Sequence, residues 1–483
     1  MHRLLLLSAA AVAFGGELQD DLARRRARLM EQLGPDTILV VRSAPHRVYS
    51  LDVDHEYRQD SNYYYLTGIE DPDGTLVLMP GNAGRKQFLF LPPKDAVAEH
   101  WSGKRLSAEE GRAQSGIADV HTTADLDPFL EAVLSGRPWL QHRRAPRPAD
   151  FDSFLNAVEG GRARLAVALD QPLRMSGAVS PLLVWANEMR DRFPGLTVVN
   201  ATRLVHALRQ VKSDYERSML TRSAEISTEA HLAGMRAARP GAREYEVKAA
   251  IEEVYRRRGA LSPGYPSITG SGANATILHY AKAERRMDAG DLMLVDAAAN
   301  YGYYTVDITR TYPVSGKFSA AQKEIYRLVL EAQNEAMAVA RVGAKPYDLH
   351  RKTEDVIKAG LLRLGLITDA SGEQFRTWYT HGAVHYLGID VHDVGDSNVP
   401  LAAGHAFVIE PGIYIRPDAL ETLAKTDENL EFIRKVKPAF EKYKGIGVRI
   451  EDSYVLTDGG LDWLSKGVPR TVEEVEAFMG ARK

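Results

Sequence analysis

Leu292-Met293-Leu294-Val295-Asp296-Ala297-Ala298-Ala299-Asn300, then Tyr301-Gly302, then Tyr303-Tyr304-Thr305-Val306-Asp307-Ile308-Thr309-Arg310-Thr311-Tyr312-Pro313, reads as two strands joined by a tight turn. With Tyr301-Gly302 as a two-residue hairpin turn, Asn300 faces Tyr303 and Asp296 comes directly opposite Asp307. Cross-strand β-carbons are about 4.5–5.5 Å apart, and like charges placed there repel. The run Leu292–Val295 has the apolar character of a buried strand, so Asp296 ends in an enclosed place where an unpaired charge is costly. On a solvated edge the pair needs no partner. In an enclosed site it needs positive charge between the carboxylates, and two divalent ions ~3.5–4 Å apart fit the spacing.

The rest of the chain supplies further candidate ligands. His381-Gly382-Ala383-Val384-His385-Tyr386-Leu387-Gly388-Ile389-Asp390-Val391-His392-Asp393 gathers three histidines with glycines between them. Ala406-Phe407-Val408-Ile409-Glu410-Pro411-Gly412-Ile413-Tyr414 is a strand with a carboxylate at its end, before a turn. Gly447-Val448-Arg449-Ile450-Glu451-Asp452 is a strand with a carboxylate in its apolar run, and Thr276-Ile277-Leu278-His279-Tyr280 adds a lone histidine. Taken singly, each has a plain reading: a hydrogen-bonded histidine, or a Glu in a turn. Together they form an oxygen-rich set with one imidazole, which suits manganese, cobalt or zinc better than copper. No His-Glu-x-x-His helix is present, so the helix-borne zinc protease design is absent.

Length and composition bound the alternatives. The 483 residues exceed one ordinary core, which predicts two domains, and 45% apolar with 26% charged residues is a soluble globular composition. A net charge of −3 provides no electrostatic case for nucleic acid or for an anionic membrane. There is no cysteine, which excludes disulfides, thiolate zinc sites and thiol nucleophiles. Met1-His2-Arg3, the apolar run Leu4–Phe14 and small residues at Ala11 and Ala13 match an export leader over residues 1–16. That leader predicts a periplasmic or secreted protein, cut between Ala13 and Gly16 and not held in the membrane; without it the protein is cytoplasmic. The run is too short to span a bilayer.

Downstream, Leu18–Leu33 is an amphipathic helix stopped by Gly34-Pro35, and strand-like runs follow at 37–42, 74–79, 87–91, 164–169 and 196–199. They predict an α/β domain over 17–205. A second domain, 206–483, opens with a capping box at Ser213 and Glu216 and carries long helices near 214–238, 244–259, 319–341 and 347–364. The charged helical stretch Asp418–Lys444 reads as a solvated surface excursion, or as a lining for the mouth of the site.

The set Asp296, Asp307, His385, Glu410 and Glu451 resembles the five-ligand dinuclear site of the pita-bread metallopeptidases, a family that includes methionine aminopeptidase, aminopeptidase P and prolidase. The four motifs quoted above, in order, and Tyr57-Arg58-Gln59-Asp60-Ser61-Asn62-Tyr63-Tyr64-Tyr65-Leu66-Thr67-Gly68 resemble aminopeptidase P most closely, over nearly the whole chain after the leader. The resemblance implies an α/β amino-terminal domain before a pita-bread catalytic domain. It also implies two divalent ions, most often manganese, with a bridging water or hydroxide that attacks the bond between an amino-terminal residue and proline.

Glu410 then doubles as general base, while His279, His381 and His392 surround the substrate and stabilise the tetrahedral intermediate. Arg449, Tyr414 and Asp52 form a supporting network, Tyr265 and Trp101 are apolar walls, and the assembly is a homodimer or homotetramer. The rivals are a prolidase confined to dipeptides, a non-catalytic peptide-binding member of the fold, and a metal-free creatinase-like hydrolase. Two features depart from the family pattern: Ala297-Ala298 where two glycines are usual, and the long Glu410-to-Glu451 gap.

Overall fold

The computed structural model describes residues 2–137, 139, 149–169 and 175–481, without the side chains of residues 2–15. The expected leader, residues 1–16, lies outside the described side chains. Among the described residues no helix is long and apolar enough to cross a membrane. The chain forms two compact units, Met1–Arg209 and Gln210–Lys483. The division falls at the end of the helix Thr202–Gln210, whereas a boundary at 205 would cut that helix.

The first unit is built on one six-stranded sheet, ordered Asp119–Thr122, Gln87–Leu91, Thr75–Leu78, Thr37–Arg42, Ala163–Val167 and Leu196–Asn200. Its two central pairings are antiparallel and the outer ones parallel, so the expected α/β character stands. Four of the strands are the apolar runs read from sequence; the fifth run, Leu196–Asn200, is only partly buried. Asp119–Thr122, half polar, carried no such signal. Helices cover the sheet over a core of Val40, Val77, Phe88, Phe90, Phe129 and Trp139. Within the Tyr57–Gly68 segment, Asp60 caps a short helix by accepting from Tyr63 N at 2.7 Å, and Gly68 ends it in the left-handed region. Arg25 and Arg26 donate to the last carbonyls of that helix, Tyr65 at 2.9 Å and Leu66 at 2.7 Å.

The second unit has several short sheets of two or three strands, flanked by two helix pairs, Asp214–Ala237 with Glu244–Arg257 and Ala320–Val339 with Pro346–Arg363. The capping box stands: Ser213 Oγ accepts from Glu216 N at 3.2 Å, and the Glu216 carboxylate accepts from Ser213 N at 3.0 Å. The hairpin differs from expectation. Its turn is Gly302-Tyr303, with φ of 56° and 69°, and Asn300 pairs with Thr305. Both central residues of such a turn need positive φ, and the common order places glycine second, as in Asn-Gly, which is why the sequence pointed one residue earlier, to Tyr301-Gly302. The register moves by two, so Asp296 faces Thr309 and not Asp307. A shift of two keeps every side chain on its expected face.

The ladder is interrupted between those pairs. Leu292–Asp296 pairs with Thr309–Pro313 and Ala299–Tyr301 with Tyr304–Thr305 in one continuous register, yet Ala297-Ala298 and Val306–Ile308 lie outside the strands. Asp307 stands in that gap. The same happens once more. Ala406–Ile409 pairs with Asp452–Thr457 and Gly412–Tyr414 with Gly447–Arg449, again in one register, broken at Glu410-Pro411 and Ile450-Glu451. Pro411 has no N–H to give to a ladder.

The excursion Asp418–Lys444 corrects a further expectation. Its helix Asp427–Tyr443 buries Phe432, Val436, Phe440 and Tyr443 in the core of the second unit, with the Phe440 ring 5.9 Å from that of Trp378. Only its other face is solvated. Amphipathic spacing in a charge-rich helix hid a core element behind its surface residues.

Candidate metal centre

The two ladder breaks and one loop bring together the five expected ligands. Asp296 closes a buried strand, Asp307 sits in the first gap, and Glu410 and Glu451 flank the second. His385 comes from a loop held by backbone bonds from Val408 N to its own carbonyl and from Asp393 N to Tyr386 O, 3.0 and 2.9 Å. A buried ion pair, Lys212 to Asp393 at 2.8 Å, ties the far end of that loop. Gly388 lets the loop close: a β-carbon there would lie 1.9 Å from an Asp393 carboxylate oxygen.

His385 Nε2 lies 3.6 Å from an Asp307 oxygen, 3.6 Å from Glu410 Oε1 and 3.7 Å from Glu451 Oε1. Ligand atoms about 2.0–2.2 Å from one shared ion are themselves roughly 3–3.6 Å apart, so this spacing suits a cation at the centre. Asp296, Asp307 and Glu451 form a second group whose oxygens lie within 4.8 Å of one another. Asp307 and Glu451 belong to both groups, so they would be the shared ligands if two ions were bound. His385 Nε2 and Glu451 Oε1 are buried and have no hydrogen-bond partner. His385 Nδ1 donates to Tyr386 O at 3.1 Å, which leaves the Nε2 lone pair for a metal. Buried polar atoms without partners at the focus of four carboxylates fit a divalent cation pair.

The electrostatics agree. Four buried or half-buried carboxylates face one buried guanidinium, that of Arg449. Burial, then Glu451 and Asp296, push the Asp307 carboxyl well above its ordinary range. Burial and Glu451 push Glu410 up to about 8. Asp296 is also opposed by burial, but Arg449 and Tyr265 hold it below the usual value. Excess negative charge of this kind is what divalent ions neutralise.

Around the ligands runs a hydrogen-bond chain. Arg449 donates to Asp296 at 2.7 Å, to Tyr414 Oη at 2.8 Å and to Thr309 Oγ1 at 3.0 Å. Thr309 in turn donates to Glu451 Oε2 at 2.7 Å. Tyr414 Oη lies 2.7 Å from His381 Nε2, and His381 Nδ1 lies 2.6 Å from Gly382 O. Both ring nitrogens of His381 are therefore engaged, and it ends the chain as the acceptor of the tyrosine proton.

Tyr265 is more than an apolar wall. Its hydroxyl lies 2.7 Å from an Asp296 oxygen and 2.5 Å from an Asp307 oxygen, bridging the two carboxylates. His392 is exposed as a residue but turns one side of its ring toward the site, 4.2 Å from the ring of His385; desolvation on that side, then His385, push it down to about 4. His279 is exposed, in the loop after Gly272–Thr276. Asp52 and Trp101 belong to the first unit and are exposed there, in the turn between two short strands and on the helix Ala96–Ser102.

Thr309 escaped the sequence reading although it stands in the quoted motif, because a threonine in a strand carries no chemical signal of its own. So did the helix residues that serve the first ladder break. Ser223 Oγ donates to Ala299 O at 2.7 Å and accepts from Val306 N at 3.1 Å, Ser227 Oγ accepts from Ala299 N at 2.9 Å, and His231 Nε2 meets Ala297 O at 2.9 Å. Their spacing of four along one helix was the available clue.

Comparison with known proteins agrees with this centre. Metallopeptidase family M24 matches residues 218–458, and the aminopeptidase P amino-terminal domain matches residues 22–140. The Xaa-Pro aminopeptidase of Escherichia coli is 33% identical, over 96% of this chain and 98% of its own. The structure of Pseudomonas aeruginosa aminopeptidase PepP superposes with a TM-score of 0.80 at 36% identity, covering 96% of this chain and 98% of that one. A zinc-substituted E. coli aminopeptidase P in complex with product superposes with a TM-score of 0.79 at 31% identity, covering 96% and 99%. Fold and site together therefore define a metallopeptidase. Within that class the matches extend through both units, and the chain belongs to the aminopeptidase P family.

Proposed function

We propose that this chain is a metal-dependent aminopeptidase that hydrolyses the bond between an amino-terminal residue and a following proline, in peptides longer than two residues as well as in dipeptides. The observation that carries the reading is the convergence of Asp296, Asp307, Glu410 and Glu451 on the unpartnered Nε2 of His385. These five residues would hold two divalent ions, with manganese the proposed metal. Bound there, the ions supply Lewis acidity for the scissile carbonyl and lower the pKa of water.

The chain's own groups do the rest. Glu410 accepts the proton of the attacking water and passes it to the leaving proline nitrogen. Arg449 balances Asp296, and through Tyr414 it orients His381. His392 and His279 aim N–H donors at the developing oxyanion, which a neutral imidazole can do. An Xaa-Pro bond has no N–H for the usual backbone contact, so the site must recognise the ring itself. We further propose export directed by residues 1–16, which amino-terminal sequencing of the native protein tests, and assembly as a homodimer or homotetramer, which sedimentation tests.

The deciding experiment compares Xaa-Pro, Xaa-Pro-Yaa and Xaa-Ala-Yaa peptides before and after exhaustive chelation. Strong preference for proline, lost with the metal and restored by Mn²⁺, supports the reading. Cleavage of dipeptides alone makes the protein a prolidase, and activity that survives chelation overturns the metal mechanism.

A further inference from the structure

Across the break at Glu410-Pro411 and Ile450-Glu451, Ile450 N still donates to Pro411 O at 3.3 Å, but Pro411 has no N–H to return, so the buried Ile450 carbonyl must find a donor elsewhere. The donor comes from the helix Ala320–Val339. Gln333 is fully buried and lies on the same stripe as Ile325, Val329 and Ala336. Its Nε2 lies 3.0 Å from Ile409 O, 3.2 Å from Ile450 O and 3.1 Å from Asp452 Oδ2, so its two N–H groups are shared among three acceptors. Its Oε1 accepts from Arg470 at 3.1 Å, which fixes the orientation of the amide. Asp452 is itself anchored by Arg310 at 2.6 Å and Ser465 at 2.5 Å, and Arg310 also donates to Glu451 O at 2.6 Å.

Ile409 and Ile450 immediately precede Glu410 and Glu451. One amide therefore grips the residue before each of two proposed ligands, at the point where Pro411 leaves the backbone ladder one bond short. We infer that Gln333 is a positioning residue for the dinuclear centre: it holds the Glu410 and Glu451 strand ends at the spacing a shared ion requires. The inference rests on the proposed metallopeptidase reading. A side chain that merely satisfied carbonyls would stabilise the fold equally with and without metal. A positioning residue matters more when the ligands must converge.

The test is Gln333→Met, close in volume but unable to donate, in the full-length chain with Mn²⁺ as the probe. Calorimetric titration should show at least one of the two ions bound about 10–100-fold more weakly, as for other groups that orient ligands. The rise in melting temperature on adding Mn²⁺ should shrink, and kcat should recover at saturating Mn²⁺ with KM unchanged. Equal falls in melting temperature with and without Mn²⁺, at parental affinity for both ions, would overturn the inference. If Gln333→Met does not fold, Arg470→Met frees the same amide from its anchor and should weaken Mn²⁺ binding in the same direction; parental binding there overturns the inference too. A parent chain that does not take up two ions defeats the metallopeptidase reading itself, whereas a normal parent with a normal variant defeats only the role of Gln333.

Discussion

The two units solve the same problem, burial of β-structure, in opposite ways. In the first, six strands form one sheet whose ladder bonds pair strand to strand, and its core is apolar. In the second, two antiparallel ladders keep their register but open in the middle, and the residues in or beside the openings are Asp296, Asp307, Glu410 and Glu451. An unbroken ladder leaves no room at its backbone for a cation. An opened one turns carboxylates inward and needs helix side chains, Ser223, Ser227 and His231 on one side and Gln333 on the other, to satisfy the backbone it exposes. A continuous sheet favours stability, and an interrupted one makes a site.

The hardest test of that contrast falls on the openings themselves. Asp296→Ala and Glu451→Ala should abolish both metal content and peptidase activity while the chain stays folded, and elemental analysis beside an activity assay checks it. The matched test in the first unit is Phe129→Ala, which removes a fully buried ring from the apolar core. It should cost about 3–5 kcal/mol in denaturant unfolding, with metal content unchanged. If instead it empties the metal centre, the two units are not the separate devices described above.

His392→Ala probes the site without touching a proposed ligand. It should keep both ions and lower kcat by ~10²–10³, the usual cost of one oxyanion donor. A variant that loses metal shows His392 to be a ligand, and one with parental turnover shows it to be idle.

The smallest expected effect is on pH. Burial, then Lys212, push His405 down from 6.5 to about 4 in the second unit. The unfolded chain therefore binds a proton between those values that the folded chain refuses. The contribution of His405 to stability should be full above pH ~6.5 and be lost as the pH drops to ~4, by at most about 3 kcal/mol once solvent screening is allowed for. His405→Gln should flatten that slope in urea melts taken at several pH values, and an unchanged slope would assign the acid sensitivity to other groups.

Much of this was legible in the residues. Apolar runs marked four of the six strands of the first sheet, and a capping box marked the start of the helix at Ser213. The candidate ligands stood out only as a set. Each has a plain reading alone, but four carboxylates in apolar strand settings together with histidines do not, and the family resemblance picked His385 from among the histidines. Other features were not legible. The turn at Gly302-Tyr303 places glycine first and a tyrosine with positive φ second, whereas the familiar X-Gly order pointed one residue earlier. The helix Asp427–Tyr443 looked like surface because its charges outnumber its buried residues. Tyr265 read as an apolar wall, since nothing in a sequence says where a phenol's oxygen points.

By itself, then, the sequence determined the chemistry on offer: four acids and an imidazole in apolar settings, no thiol, and two domains' worth of strands and helices. Those are local properties of residue type and period. Only the tertiary structure decided the register that carries Asp307 into a gap, the meeting of two ladder breaks around His385 Nε2, and the grip of Gln333 on residues 76 and 117 positions away. Contacts across such separations depend on how helices and strands pack, which local residue order does not encode.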